Sequence, residues 1–413
     1  MKPTIAIKPL LFISILLCFT SLYSCLKSTE PGLPDKVLKV LNETGFNRIE
    51  LTKTIAEFID YPDELKLSGA YYLISNMDRQ YYVDFDVKDT LGNIYSIDPM
   101  SFGSESTFLA YWKKLDTLSG GLKFKARTFV LDTDTVESSI LVSRINRILD
   151  TLTNPYLDRY PIDIIFECAL PYRIANEAIE NWQNILLQEY PLLFDHTDKL
   201  GPDSMISLID SFVKANFRFD GRFVKQSSIQ PLRQLIMNKA GSHEDLAQLK
   251  VKMLRTAGIP AVMDYVPYLA DSVNGFHWAS AMQEDLSFKP LVNKNMQFLF
   301  RENNLRIPKI YRRVYTIQPR SLFRTKETQF FTPPFLGHYD YLDVTEEYFS
   351  VVHNSMSATS SDSIIYLAVY NDSMWKAIDY AVVENNIGSF KNIRPALMYK
   401  PAVFKNDSII LLN

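Results

Sequence analysis

The residues of this chain that could do chemistry gather in one stretch. Ser242-His243-Glu244-Asp245 opens it, Asp264 follows, and His277-Trp278 closes it. An imidazole titrates near neutrality and, when neutral, offers one lone pair, so it can act as a general base or bind a metal. His243 and His277, with Asp264 as a third group, therefore spell either acid–base hydrolysis or a two-histidine metal site. The ligand spacing is not tight, so it assigns no metal and no cofactor. Ser242 next to His243 suggests a hydrolase pair. However, adjacent helical residues do not face one another, and a capping hydroxyl is already bonded to backbone amides. Cys168 sits among Phe166 and Ala169-Leu170 with no histidine nearby in sequence, which reads as a small core residue rather than a nucleophile. Arg173 and Glu177, spaced i and i+4, predict a helix ion pair. His196, His338 and His353 carry no motif.

The elements that must position these residues are legible. Ser242 is a good N-cap and Asp245, three residues on, makes a near capping box, so a helix should begin here. Leu246, Leu249, Met253 and Ala257 recur at helical spacing, with Leu254 widening the apolar stripe. Gly258 ends the helix and Pro260 blocks its continuation. Ala261 to Val266 then reads as a strand. A second strand, Phe276 to Met282, turns through Gln283-Glu284-Asp285 into Ser287 to Val292.

This order, from Gly241-Ser242-His243-Glu244-Asp245-Leu246-Ala247 to Gly275-Phe276-His277-Trp278, resembles the core of a transglutaminase-like, papain-related domain. In that family a cysteine opens the helix, a histidine opens the next core strand, and an acid stands on the strand after. The helix terminus lowers the thiol pKa, the histidine takes the proton, and the acid orients the histidine. The resemblance places the nucleophile position on His243 and, with Trp278 aligned to the family's Gly-His-x-Trp, the base position on Phe276. His277 is one residue off and regains the base's direction only through a bulge. Lys289-Pro290-Leu291-Val292 supplies no carboxylate. The triad is thus degenerate as a set: His243, Phe276 and His277 remain as vestigial-site residues, with Ser242, Asp264 and Trp278 as cleft candidates.

Other segments resemble transglutaminase-like lipoproteins of Bacteroidetes type. They are Asn47 to Leu51 with Ala56-Glu57-Phe58, Lys66 to Met77, Phe166 to Arg173 with Asn176-Glu177 and Trp182, Asp343 to Tyr348, and Leu367 to Asn371 with Trp375. The fold class implied is α+β: a papain/transglutaminase-like core, an N-terminal helical region and a β-rich C-terminal region. Helical pattern dominates from Asp35 to Met77, and Gln80 to Thr135 is mixed, with strand-like alternation over Tyr81 to Val87 and Lys123 to Leu131. Boundaries fall at 1–24 for a signal peptide, 25–138 for a helical and mixed region, 139–313 for the core and 314–413 for the β-rich region.

Lys2 and Lys8, a short apolar run from Leu10 to Phe19, and Leu22-Tyr23-Ser24-Cys25 read as a lipoprotein signal with Cys25 as the acylated residue. Cleavage there removes Cys18 and leaves Cys168 as the only thiol outside the lipid site, so no intramolecular disulfide is available. It also takes the formal net charge from −3 to −5 by removing Lys2 and Lys8, and there is no long basic run, which excludes nucleic acid as a partner. With 26 Phe and 23 Tyr but 14 Gly, the chain is rich in the rings that glycan- or peptide-binding surfaces use.

The expectation is a protein held to the outer membrane by its lipid, periplasmic or surface-exposed, binding a protein, peptide or glycan. The alternative is a peptidase-like or metal-dependent hydrolase using His243 and His277 in the same cleft. Cys25→Ser is expected to release the protein from the membrane fraction. Variant protein that still behaves as integral to the membrane after a carbonate wash would overturn the lipid anchor.

Overall fold

The computed structural model describes residues 32–151, 158–195, 197, 199–226, 228–272, 275–292, 297–322, 333–358 and 363–412; the expected signal segment, Cys25 and His196 lie outside them. Three helices come first: α1 (Asp35–Glu43), α2 (Arg48–Asp60) and α3 (Glu64–Ser75). Each buries residues three or four apart, such as Val37, Val40 and Leu41 in α1 and Leu51, Ile55 and Phe58 in α2, so one face of each helix is apolar. A small antiparallel sheet follows, in which β1 (Tyr81–Lys88) lies between β2 (Ile94–Tyr95) and β3 (Lys123–Leu131). Between β2 and β3 runs α4 (Glu105–Leu118), a helix not singled out within the mixed stretch; Phe108 is its one buried residue.

Next come α5 (Ser138–Thr151), α6 (Ile162–Cys168), α7 (Trp182–Glu189) and α8 (Pro202–Asn216). Then β4 (Arg218–Phe219) pairs in parallel with β5 (Ala240–Gly241), with α9 (Leu232–Asn238) between them. Helix α10 (His243–Thr256) starts where expected: Ser242 caps it and Asp245 closes the capping box. It ends at Ala257, and Gly258 takes a left-handed φ of 81° that suits a residue without Cβ. One core cluster runs from Val37 to Tyr315 and includes Leu249, Met253 and Leu254 of α10, so the N-terminal helices and α10 share a single apolar interior.

The central sheet is antiparallel, in the order β10 (Tyr341–Asp343), β9 (Tyr311–Arg313), β6 (Ala261–Val266), β7 (Phe276–Met282), β8 (Phe288–Pro290). β6 and β7 match the expected strands, while β8 is shorter than Ser287 to Val292. The C-terminal sheet uses β11 (Val352–Ser357), β12 (Ile364–Asn371), β13 (Met374–Glu384), β14 (Ile387–Ile393), β15 (Lys400–Lys405) and β16 (Ser408–Leu411). Three of its hairpins turn on paired residues with positive φ, Asp372-Ser373, Asn385-Asn386 and Asn406-Asp407, which matches the strand twist. The architecture is mixed α+β, with helices on one side of the chain order and a strand-rich C-terminal layer.

The helix ion pair expected between Arg173 and Glu177 does not form, because α6 stops at Cys168 and α7 starts at Trp182, leaving both residues in irregular backbone. Arg173 instead forks onto the buried Asp132, its Nε donating to Oδ2 at 2.7 Å, and Tyr172 Oη donates to the same oxygen at 2.7 Å. The Glu177 carboxylate accepts from the amides of Ile174 at 2.9 Å and Ala175 at 2.8 Å, folding the segment back on itself. A charge pair taken out of water is costly to break from one side, because the remaining partner stays buried and unpaired. Asp132→Ala is therefore expected to lower the unfolding free energy by about 3–5 kcal/mol in urea titrations. A loss below about 1 kcal/mol would show that Arg173 finds other partners.

Candidate functional site

The N-terminus of α10 meets the start of β7. The parallel β4–β5 pairing carries Phe219 beside it, with Arg218 opposite Ala240 and Phe219 opposite Gly241. The half-buried ring of His243 is held between two aromatics: it stacks on Phe219 at 4.1 Å with an interplanar angle of 16°, and meets Phe276 edge-on at 4.9 Å and 81°. Burial, with a smaller contribution from His277, pushes its pKa down to about 4. The positive end of the helix dipole acts in the same sense. At physiological pH His243 is a neutral, dry imidazole, able to accept or donate one hydrogen bond but poorly placed to hold a proton.

His277 does not occupy the position of Phe276 by way of a bulge. The β6–β7 register is unbroken from Ala261↔Ala281 to Val266↔Phe276, so His277 falls in the opposite alternate set from Phe276 and Trp278. It sits across from Tyr265 and stacks on that ring at 5.5 Å and 16°. Burial lowers its pKa, Glu244 opposes this, and Arg313 adds to the lowering. Glu244, the residue after His243, is thus the larger of two carboxylate influences on His277, with Asp245 the smaller. Around them Arg313 pairs with Asp340 at 2.6 Å, and Tyr265 Oη and Arg313 Nε are buried without a hydrogen-bond partner. His338 also feels Arg313 and Asp340, and burial brings it down to about 4.

The cleft candidates separate. Ser242 is engaged as the cap: its Oγ accepts from the Asp245 amide at 3.2 Å and donates to Oδ2 at 2.9 Å. Asp264 and Trp278 pair across the other alternate set. There the fully buried Asp264 takes the Arg312 guanidinium at 2.9 and 3.0 Å and the Tyr348 hydroxyl at 2.6 Å. Trp278 Nε1 and Ser280 Oγ lie 3.1 and 2.8 Å from that same hydroxyl, and Arg312 also bonds Glu347 at 3.0 and 2.8 Å. Asp264 is thereby saturated inside the sheet and not offered to either histidine. Among the described residues no group of three or more His, Cys, Asp or Glu is placed to hold a metal.

On β8, Lys289 pairs with Asp285 of the turn at 2.8 Å; that bond and those to Ser287 hold the Asp285 carboxyl down at about 2. It is a surface pair. Cys168 is buried, and burial pushes its thiol up to about 12, so it carries no thiolate near neutrality. His353 Nδ1 accepts from the Asn392 amide at 3.3 Å. Sequence reasoning missed Phe219 as a wall of the slot, the influence of Glu244 on His277, and the Arg312–Tyr348 network. Arg312-Arg313 beside a short strand was a usable signal, because two arginines in a mostly apolar setting must each find a carboxylate.

No family model matches the chain, and no curated protein matches it. Two solved structures are weakly and partially similar. One, provisionally named a cysteine protease and coming from Cytophaga hutchinsonii, is 16% identical with a TM-score of 0.24, over 33% of this chain and 43% of its own. The other, provisionally named a protease and coming from Parabacteroides distasonis, is 16% identical with a TM-score of 0.22, over 32% of this chain and 26% of its own. The chain therefore spans less than half the length of either.

The slot has a pH consequence. Between the ordinary histidine value of 6.5 and about 4, the unfolded chain binds the proton that folded His243 refuses, so stability falls as pH drops through that window. His338 adds to the slope in the same direction. His243→Gln is expected to remove one share: from neutral pH to about pH 4 the wild type should lose on the order of 1–3 kcal/mol more than the variant. Urea midpoints at the two pH values read this. Equal losses would show that His243 protonates freely in the folded state.

Proposed function

We propose that this chain is a lipid-anchored cell-envelope protein whose middle is a papain/transglutaminase-like core with a spent active site. It acts by binding, or as part of an envelope assembly, rather than by catalysis. The observation that carries this reading is the clamped imidazole of His243 at the N-terminus of α10, between Phe219 at 4.1 Å and Phe276 at 4.9 Å. Acyl transfer through a thioester needs a thiolate, a base beside it and an acid behind the base. Here an imidazole takes the first position, a phenyl ring the second, and β8 ends without a carboxylate. The motif resemblance along the chain supports the same core. Cys25 is the proposed lipid site, with the outer membrane as its address and a protein, peptide or glycan as its partner; among the described residues no helix is long and apolar enough to cross a membrane.

A second reading has one observation in its favour. Glu244 and Asp245 act electrostatically on His277, so a hydrolase working through His243 and His277 would have an acid acting on a base. Turnover of a peptide and glutamine-amide library by wild type, His243→Ala and His243→Cys decides between them. The expected result is no turnover by any of the three, because restoring the thiol leaves Phe276 in the base position. Wild-type turnover that disappears in His243→Ala would establish the hydrolase instead.

A further inference from the structure

A cavity of about 320 Å³ lies between the β1–β3 sheet, α4 and the segment 225–234, walled by none of His243, Phe276 or His277. Four aromatics, Phe85, Tyr95, Phe108 and Trp112, line it together with aliphatic residues such as Ile94 and Ile97 and several long polar side chains. Its acid, Asp86, is already neutralised, by Lys88 at 3.3 Å and Arg127 at 3.6 Å, and Arg127 also pairs with Asp84. Its floor is committed as well: Gln230 donates to Asp245 Oδ2 at 3.0 Å and to the Ala240 carbonyl at 3.2 Å, and accepts from Asn238 at 2.9 Å. What remains uncommitted is specific. Among the described residues the ammonium of Lys225, the amide of Gln234 and the indole N–H of Trp112 have no hydrogen-bond or ion-pair partner.

These features narrow the ligand. The volume is at the small end for a binding site, enough for one or two ring-sized groups. Polar side chains interspersed among the apolar ones disfavour an acyl chain, and the absence of a glycine-rich loop in the sequence disfavours a nucleotide phosphate. An aromatic ring with a free N–H, next to a primary amide, suits a flat ring with one apolar face and a rim of hydroxyls. The single unneutralised charge, Lys225, suits a carboxylate on that ring. We infer that this cavity binds a uronic-acid residue of a glycan, with Trp112 as the platform, Gln234 on the hydroxyls and Lys225 on the carboxylate.

The site also has a rigid base. Gln230 ties its floor to Asp245, which closes the capping box of α10, and Arg222 ties its rim to α4's approach through the carbonyls of Pro99 at 3.2 Å and Phe102 at 2.5 Å. The inference stands whether or not the His243 slot turns over a substrate.

The test is titration calorimetry on the purified full chain in detergent, with digalacturonic acid, the neutral disaccharide galactobiose and N-acetyl-glutamyl-amide as probes. Digalacturonic acid is expected to bind with Kd of about 1 mM or tighter, and galactobiose about tenfold more weakly. Lys225→Gln, a change at an exposed side chain that leaves the core intact, is expected to reduce the acidic sugar to the level of the neutral one. Trp112→Ala is expected to abolish binding of both. The inference is overturned if neither sugar binds at about 10 mM, if Lys225→Gln leaves the acidic preference unchanged, or if the glutamyl amide binds as tightly as the acidic sugar.

Discussion

One carboxylate holds the middle of the molecule in place. Asp245, 3% exposed, accepts four hydrogen bonds: from Ser242 N at 2.8 Å and Oγ at 2.9 Å, and from Gln230 N at 2.9 Å and Nε2 at 3.0 Å. The first two set where α10 begins, and hence where His243 stands. The second two bind the segment before α9 against the same helix turn. Gly241 is part of this constraint, because a Cβ there would lie 2.8 Å from the Cβ of Asp245 and 3.0 Å from Gln230 Nε2. With Gly241 held so close, β5 can pair with β4 and carry Phe219 onto the imidazole of His243. Both the aromatic slot and the floor of the polar cavity therefore hang on one desolvated acid that is fully hydrogen-bonded.

The parts of the fold legible in the sequence are those whose signals are local. Ser242 and Asp245 announce a helix start from three residues' spacing, Gly258 its end, and the apolar runs of β6 and β7 give both strands to the residue. The turn through Leu286, with a φ of 62°, was readable as a turn although not for that residue. Helix α4 was read only as part of a mixed stretch, although Phe108, Tyr111, Trp112 and Leu115 recur at helical spacing after the cap Ser104. The partners of buried charges escaped for a physical reason. Asp264 meets Arg312 48 positions away and Asp132 meets Arg173 41 positions away, and spacing on that scale carries no periodic trace. The i, i+4 placement of Arg173 and Glu177 suggested a local pair where a long-range one wins.

Those long-range pairs do structural work that a disulfide would otherwise share, since Cys168 is the one free cysteine among the described residues. Lys309 is enclosed by Asp343 at 2.5 Å and Asp379 at 2.6 Å, joining β9's approach to β10 and to β13 of the C-terminal sheet. Arg312 joins β9 to β6 and to the short helix Thr345–Tyr348. A buried pair of this kind adds little net stability over a well-packed apolar contact, but any shift of register that separates the partners leaves a bare charge inside. The pairs thus specify how the two larger sheets meet, while the core cluster from Val37 to Tyr315 supplies the apolar burial.

The same electrostatic reasoning explains why a histidine is tolerated at the N-terminus of α10. A helix N-terminus favours a negative group and opposes a positive one, so a charged imidazolium at His243 would be unfavourable twice, from the dipole and from burial. Neutral imidazole avoids both costs and gains two ring contacts, with Phe219 and Phe276. Those contacts would also disfavour a thiolate at the same position. A thiolate between two aromatic rings would be stripped of water and held by the helix dipole alone, with its pKa raised by desolvation and no imidazole to take its proton. The aromatic clamp and the neutral imidazole are therefore one state of the site: the rings of Phe219 and Phe276 suit an uncharged side chain at residue 243.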